Sequence, residues 1–131
     1  QLTISMEDER TQHVLHRVPS VNTDPLPELL AGLPQLRLIL LNFQRSVSMN
    51  RAAELRNAGQ VWFDIAMQEG IEGVARLAEQ VSADRIVFGS HSPLFYYDSA
   101  VMKLTESGLP ETVLEKIRTG NVADIRAFTD A

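Results

Sequence analysis

The chain of 131 residues contains no cysteine, which excludes disulfides, thiolate-bound zinc and a cysteine nucleophile together. Any metal must then be held by His, Asp, Glu or water. No apolar run approaches the roughly 20 residues that cross a bilayer, and the first residues lack the basic-then-apolar layout of a signal peptide. A cytoplasmic protein with no membrane partner is therefore expected. A basic surplus is also missing. The 17 acidic residues outnumber the 12 basic ones, which are scattered, so no nucleic-acid partner is expected. Neither a Gly-x-Gly-x-x-Gly turn nor a Walker-type lysine loop occurs, which removes the usual marks of a dinucleotide or nucleoside triphosphate site.

What is present is apolar material for one domain, 44% of residues being hydrophobic. Four short apolar segments read as strands: Leu2 to Met6, Leu36 to Leu41, Val61 to Ile65 and Arg85 to Phe88. The second is nearly continuous in large aliphatics, as expected of a strand buried on both faces of a parallel sheet. Helical patterns separate the strands. Asp24 and Pro25 open a short helix that stops at Gly32, and Ser48 caps another over Met49 to Ala58. Ile71, Val74, Leu77, Ala78 and Val81 share one helical face. Further helices are expected from Asp98 to Leu104, from Pro110 to Arg118 and from Asn121 to Phe128. Strand and helix alternate four times, which implies an α/β fold with parallel strands and right-handed crossovers. A (β/α)8 TIM-barrel needs roughly 250 residues. The chain thus reads as its C-terminal half, about four βα units plus terminal helices, with further chain expected before Gln1.

In such a fold the chemistry sits at the C-terminal ends of the strands. Those ends carry Glu7, Asp8 and Arg10, then Asn42, Gln44 and Arg45, then Asp64 and Glu69, and finally His91. Arginine can anchor a carboxylate with two parallel hydrogen bonds, and a histidine near neutral pH can act as general base or metal ligand. Asp64 lies inside an apolar strand, so it either faces the barrel mouth or is paired to offset burial. His91 sits in a Gly-Ser-His-Ser-Pro turn, where a side chain can also simply cap the local backbone. His13 and His16 are three apart but have no third ligand at a defined spacing. Phe95, Tyr96 and Tyr97 form an aromatic run suited to core packing or a subunit contact.

The run Ala83-Asp84-Arg85-Ile86-Val87-Phe88-Gly89-Ser90-His91-Ser92-Pro93, the later Ile117-Arg118-Thr119-Gly120-Asn121-Val122-Ala123, and Leu33-Pro34-Gln35-Leu36-Arg37-Leu38-Ile39-Leu40 together resemble the end of amidohydrolase-related (amidohydrolase 2) metal-dependent hydrolases. That family includes the aminocarboxymuconate semialdehyde decarboxylase-like enzymes. Its barrel closes on a strand ending in Phe-Gly-Ser-Asp-x-Pro, and an Asn-Ala pair opens its last helix. The resemblance implies a divalent metal, zinc or manganese, and metal-activated water attacking an amide, ester or lactone carbon. This chain departs from the pattern at three places. His91 stands where the family has the aspartate, Asn42 where the sixth strand usually ends in histidine, and Ile4-Ser5-Met6 where the fifth-strand histidine lies. A neutral imidazole can still bind zinc, whereas an asparagine oxygen is a poor ligand for it.

The reading is a single amidohydrolase-like barrel domain over 1–131 that hydrolyses or decarboxylates a small carboxylate, amide or lactone. His91 and Asp64 are the catalytic candidates, with His91 also the metal ligand. Arg10, Asn42, Arg45, Glu7 and Asp8 bind substrate, and a homo-oligomer is expected. The alternative is a non-catalytic protein of the same fold that binds a small molecule or a protein partner.

Overall fold

A computed structural model describes residues 1–8 and 10–127. In chain order it contains β1 (Leu2–Thr3), α1 (Leu26–Gly32), β2 (Arg37–Leu41), α2 (Met49–Ala58), β3 (Gln60–Asp64), α3 (Gly73–Val81), a 3-10 turn over Ala83–Arg85, β4 (Ile86–Val87), α4 (Tyr97–Thr105), α5 (Glu111–Glu115), a π-helical turn over Lys116–Gly120, and α6 (Asn121–Ala127). The strands form one sheet in the order β1-β2-β3-β4, every neighbouring pair parallel. Each strand therefore ends on the same side of the molecule, as the alternating pattern requires. The fold is α/β, with a four-stranded all-parallel sheet alternating with helices. Among the described residues no helix is long and apolar enough to cross a membrane.

Register sorts the side chains. Leu40, Phe63 and Ile86 are paired across β2, β3 and β4, as are Leu38 and Val61 across the first two. Residues paired in this way share a face. That face meets Leu30 of α1, Leu55 of α2, Leu77 of α3, Leu104 of α4 and Ile117, all essentially inaccessible to water. Burying each such side chain contributes about 1.5–3 kcal/mol, and this layer carries the fold. Phe43 and Phe63 meet edge to face with centroids 5.0 Å apart.

The opposite face is different. Thr3, Ile39, Leu41, Trp62, Asp64 and Val87 share it by register. Arg37, Ile39 and Leu41 are only half-buried there, so β2 is fully buried on its helix side alone. Trp62 is covered by Arg85, whose guanidinium lies 4.6 Å from the ring centroid, and its indole N–H donates to the Asp84 carbonyl.

Local sequence accounts for most boundaries. Ser48 Oγ accepts the Arg51 N–H at 3.2 Å and starts α2 at the expected place. Pro25, and not Asp24, occupies the cap position of α1. Ile71 does not join the buried face of α3, because that helix begins only at Gly73. Gly70 and Glu72 both turn through positive φ, and Ile71 is left 81% exposed. The expected helix from Pro110 to Arg118 is α5 followed by the π-helical turn, and Phe128, the expected end of the last helix, lies outside the described residues.

The edge of β4 away from β3 is occupied by the chain itself. The Phe88 N–H donates to the Ile117 carbonyl at 2.9 Å. Two residues earlier the Ile86 carbonyl accepts from Asn121 Nδ2 at 2.6 Å, and that amide also reaches the Ala83 carbonyl at 2.8 Å. Asn121 thus anchors the terminal helices to the last strand.

Candidate functional site

Because the strands are parallel, the segments following β1, β2, β3 and β4 emerge together at one end of the sheet. Between them and α4 lies a cleft of about 460 Å³, in the size range of small-molecule sites. Its wall is built by Asp8 and Arg45 from the first two segments, Met67 and Glu69 from the third, and Ser90, Phe95 and Tyr96 after β4. Lys103 of α4 completes it.

Of the residues expected from the sequence, Glu7, Asp8 and Arg45 line this cleft. Asp8 and Arg45 do so as part of a linked chain of charges. Arg10 contacts Asp8 at 2.6 Å, and Arg45 bridges Asp8 and Glu69. Hydrogen bonds from the Arg10 guanidinium and the Arg10 backbone N–H, and then from the Arg45 guanidinium, hold the Asp8 carboxyl well below the usual carboxylate range. Both arginine charges therefore already face carboxylates. Gln44 adds to the chain by accepting the Glu69 N–H at 2.7 Å.

Asn42, Asp64 and His91 are brought close to one another but stand apart from the cleft wall. Asn42 follows β2 with φ 53°, a left-handed conformation that asparagine tolerates. Its backbone N–H donates to Asp64 Oδ1 at 2.9 Å, and its side-chain Nδ2 donates to the Ser5 carbonyl at 3.1 Å. Its Oδ1 is buried with no hydrogen-bond partner among the described residues. Asp64 is 3% exposed and, among the described residues, meets no arginine. Burial pushes its carboxyl up to about 6, against the opposing pull of the Asn42 and Ala66 N–H groups and of the His91 and Lys103 charges. Gly89 leaves the room that this carboxyl uses, since a Cβ there would fall 2.6 Å from Asp64 Oδ2.

His91 also has φ 53°. Its Nε2 lies 2.8 Å from the Met6 carbonyl, which can only accept, so Nε2 donates this hydrogen bond, and in the neutral tautomer Nδ1 would hold the lone pair. Phe95 holds the ring edge to face, with centroids 5.0 Å apart. The imidazole thus ties the β4 turn to the segment after β1.

The metal implied by the resemblance finds a poor donor set. Among the described residues no group of three or more His, Asp or Glu side chains could hold an ion. Asn42 turns its amide nitrogen to Ser5, Asp64 Oδ1 is engaged by a backbone N–H, and His91 Nε2 is committed to Met6. These residues do not fit a zinc or manganese centre by themselves. His13 and His16 lie exposed in a turn closed by the His16 N–H and the His13 carbonyl.

Two features of this end have no sequence signal. Ser5, Ser20 and Ser46, far apart in the chain, bring their hydroxyls within 2.7–2.8 Å of one another. Lys103, at a helix position no motif marks, reaches the Ala66 carbonyl at 2.5 Å. Phe95 and Tyr96 belong to the cleft, and Tyr97 packs on Phe88 at 5.6 Å between centroids. No protein-family model, curated protein or solved structure matches the chain.

Proposed function

We propose that the chain is the C-terminal half of an amidohydrolase-related (β/α)8 barrel that hydrolyses or decarboxylates a small carboxylate, amide or lactone. The observation that carries this reading is the convergence of four parallel strand ends, bearing Asp64 and His91, beside one cleft of about 460 Å³. In this reading His91 Nδ1 takes the proton from an attacking water, and Asp64, with its carboxyl raised to about 6, returns one to the leaving group. No step is assigned to a metal.

The alternative, a binding protein of the same fold without catalysis, draws on the self-satisfied charges of the site. Arg10, Arg45, Asp8 and Glu69 neutralise one another, and His91 Nε2 is held by a backbone carbonyl. Hydrolysis of a panel of small lactones, esters and amides, together with decarboxylation of β-keto acids, separates the two readings. The catalytic reading expects turnover that falls at least about 100-fold in His91→Ala with the fold retained. Unchanged turnover in that variant sinks it.

A half-barrel is also expected to pair with another half or with a second copy. The half-covered face carrying Ile39 and Leu41 supports this, although at β4 a new strand would have to displace Ile117 and Asn121. Light scattering that shows a cooperatively unfolding monomer at all concentrations would count against the barrel.

A further inference from the structure

We propose that Lys103 is a carbonyl-trapping lysine: its amine, set in the wall of the cleft, forms an imine with a small aldehyde or ketone bound there. Lys103 projects from α4 and lines the cleft beside Met67, Phe95 and Tyr96, and Ala100 lies one turn back on the same helix. Among the described residues no carboxylate lies within ion-pair distance of its nitrogen. Two backbone carbonyls at the end of β3 receive it instead, Ala66 at 2.5 Å and Ile65 at a long 3.5 Å. A neutral amine has two N–H groups and one lone pair, so two carbonyl acceptors satisfy its donors and leave the lone pair for a carbon electrophile.

Burial acts in the same direction, since desolvation pulls the Lys103 amine below the usual lysine range against the weaker opposing charges of Asp64, Glu69 and Glu106. The remaining lysine supplies a contrast. Lys116 is exposed and paired with Asp84 at 3.0 Å. Lys103 and Lys116 are the two lysines of the chain.

The step balances simply. The Lys103 lone pair attacks the carbonyl carbon, and one amine proton passes to the carbonyl oxygen to give a neutral carbinolamine. Its hydroxyl takes a proton from solvent and leaves as water while the nitrogen lone pair forms the C=N bond of an iminium, which returns a proton to solvent on becoming the imine. If the bound ketone carries a β-carboxylate, the iminium accepts the electron pair released with carbon dioxide. The inference shares the cleft with the proposed function but needs neither His91 nor Asp64, so either can fail alone.

The chain already contains its control. Incubation with acetoacetate and sodium cyanoborohydride near neutral pH, followed by peptide mass spectrometry, reads the reduced adduct at each lysine. Because Lys103 lies in the cleft wall with its N–H groups directed to the Ala66 and Ile65 carbonyls, while Lys116 is paired with Asp84, adduct at Lys103 is expected to exceed that at Lys116 by at least about tenfold. Lys103→Arg should abolish the cleft adduct and leave the Lys116 signal unchanged. Equal labelling of the two lysines, or preferential labelling of Lys116, overturns the proposal.

Discussion

Replacing Asp64 by asparagine should make the protein more stable at neutral pH and leave it nearly unchanged in acid. Asp64 is 3% exposed and faces backbone N–H groups, and among the described residues no arginine lies within ion-pair distance. Burial raises its carboxyl from the ordinary 3.8 to about 6. In the folded state it therefore holds a proton that the unfolded chain has already released at the same pH. Stability consequently falls as pH climbs from about 4 to about 6, and levels off above that window. A rise of this size corresponds to about 3 kcal/mol. Asparagine is nearly the same shape and keeps an oxygen to accept the Asn42 N–H, so whatever it costs in packing beside Gly89 is independent of pH. The quantity to measure is the difference in unfolding free energy between Asp64→Asn and parent, from urea transitions at about pH 4 and about pH 7.5. That difference should move in favour of the variant by about 2–3 kcal/mol between the two conditions. A difference that stays constant, or moves the other way, would show that the N–H groups of Asn42 and Ala66 outweigh desolvation. The assignment of Asp64 as a proton donor near neutral pH would then fail.

Gly89→Ala should destabilise the chain by about 1–3 kcal/mol in the same urea assay, because its Cβ would meet Asp64 at 2.6–2.9 Å. Gly32→Ala, whose Cβ meets nothing within 4 Å, should be neutral or slightly stabilising. A harmless Gly89→Ala would refute the close packing of the β4 turn on Asp64. Asn121→Ala removes the donor that serves both the Ile86 and Ala83 carbonyls and should cost about 1–3 kcal/mol. Amide exchange should rise first at Phe88, whose N–H bonds to Ile117 next to that anchor, and protection unchanged there would argue that Asn121 carries no weight.

The strand and helix order was legible because both devices are local. Aliphatic runs at Leu38 to Leu41 and Val61 to Ile65, and boundary residues such as Ser48, Gly59 and Pro110, act within a few neighbours. The failures are local conflicts settled by turns. Ile71 has the right spacing for the face of α3, but positive φ at Gly70 and Glu72 sets it outside the helix. The polar residues at the strand ends, such as His91, Asp64 and Arg45, were legible by type and position. Their partners were not, because a parallel sheet joins them across separations of tens of residues: Asp64 with Asn42, His91 with Met6, Arg45 with Glu69.

By itself, then, the sequence determined an alternating α/β chain with polar strand ends and no thiol chemistry, since periodicity, capping and composition need no knowledge of distant contacts. Tertiary structure alone decided which of those polar groups are free. It ties Arg10 and Arg45 to carboxylates, turns the Asn42 amide toward Ser5, and buries Asp64 beneath Gly89. It also carries Lys103, which no motif marks, into the wall of the cleft. A side chain's charge state and availability depend on what the fold packs against it, and that information is distributed over the whole sheet.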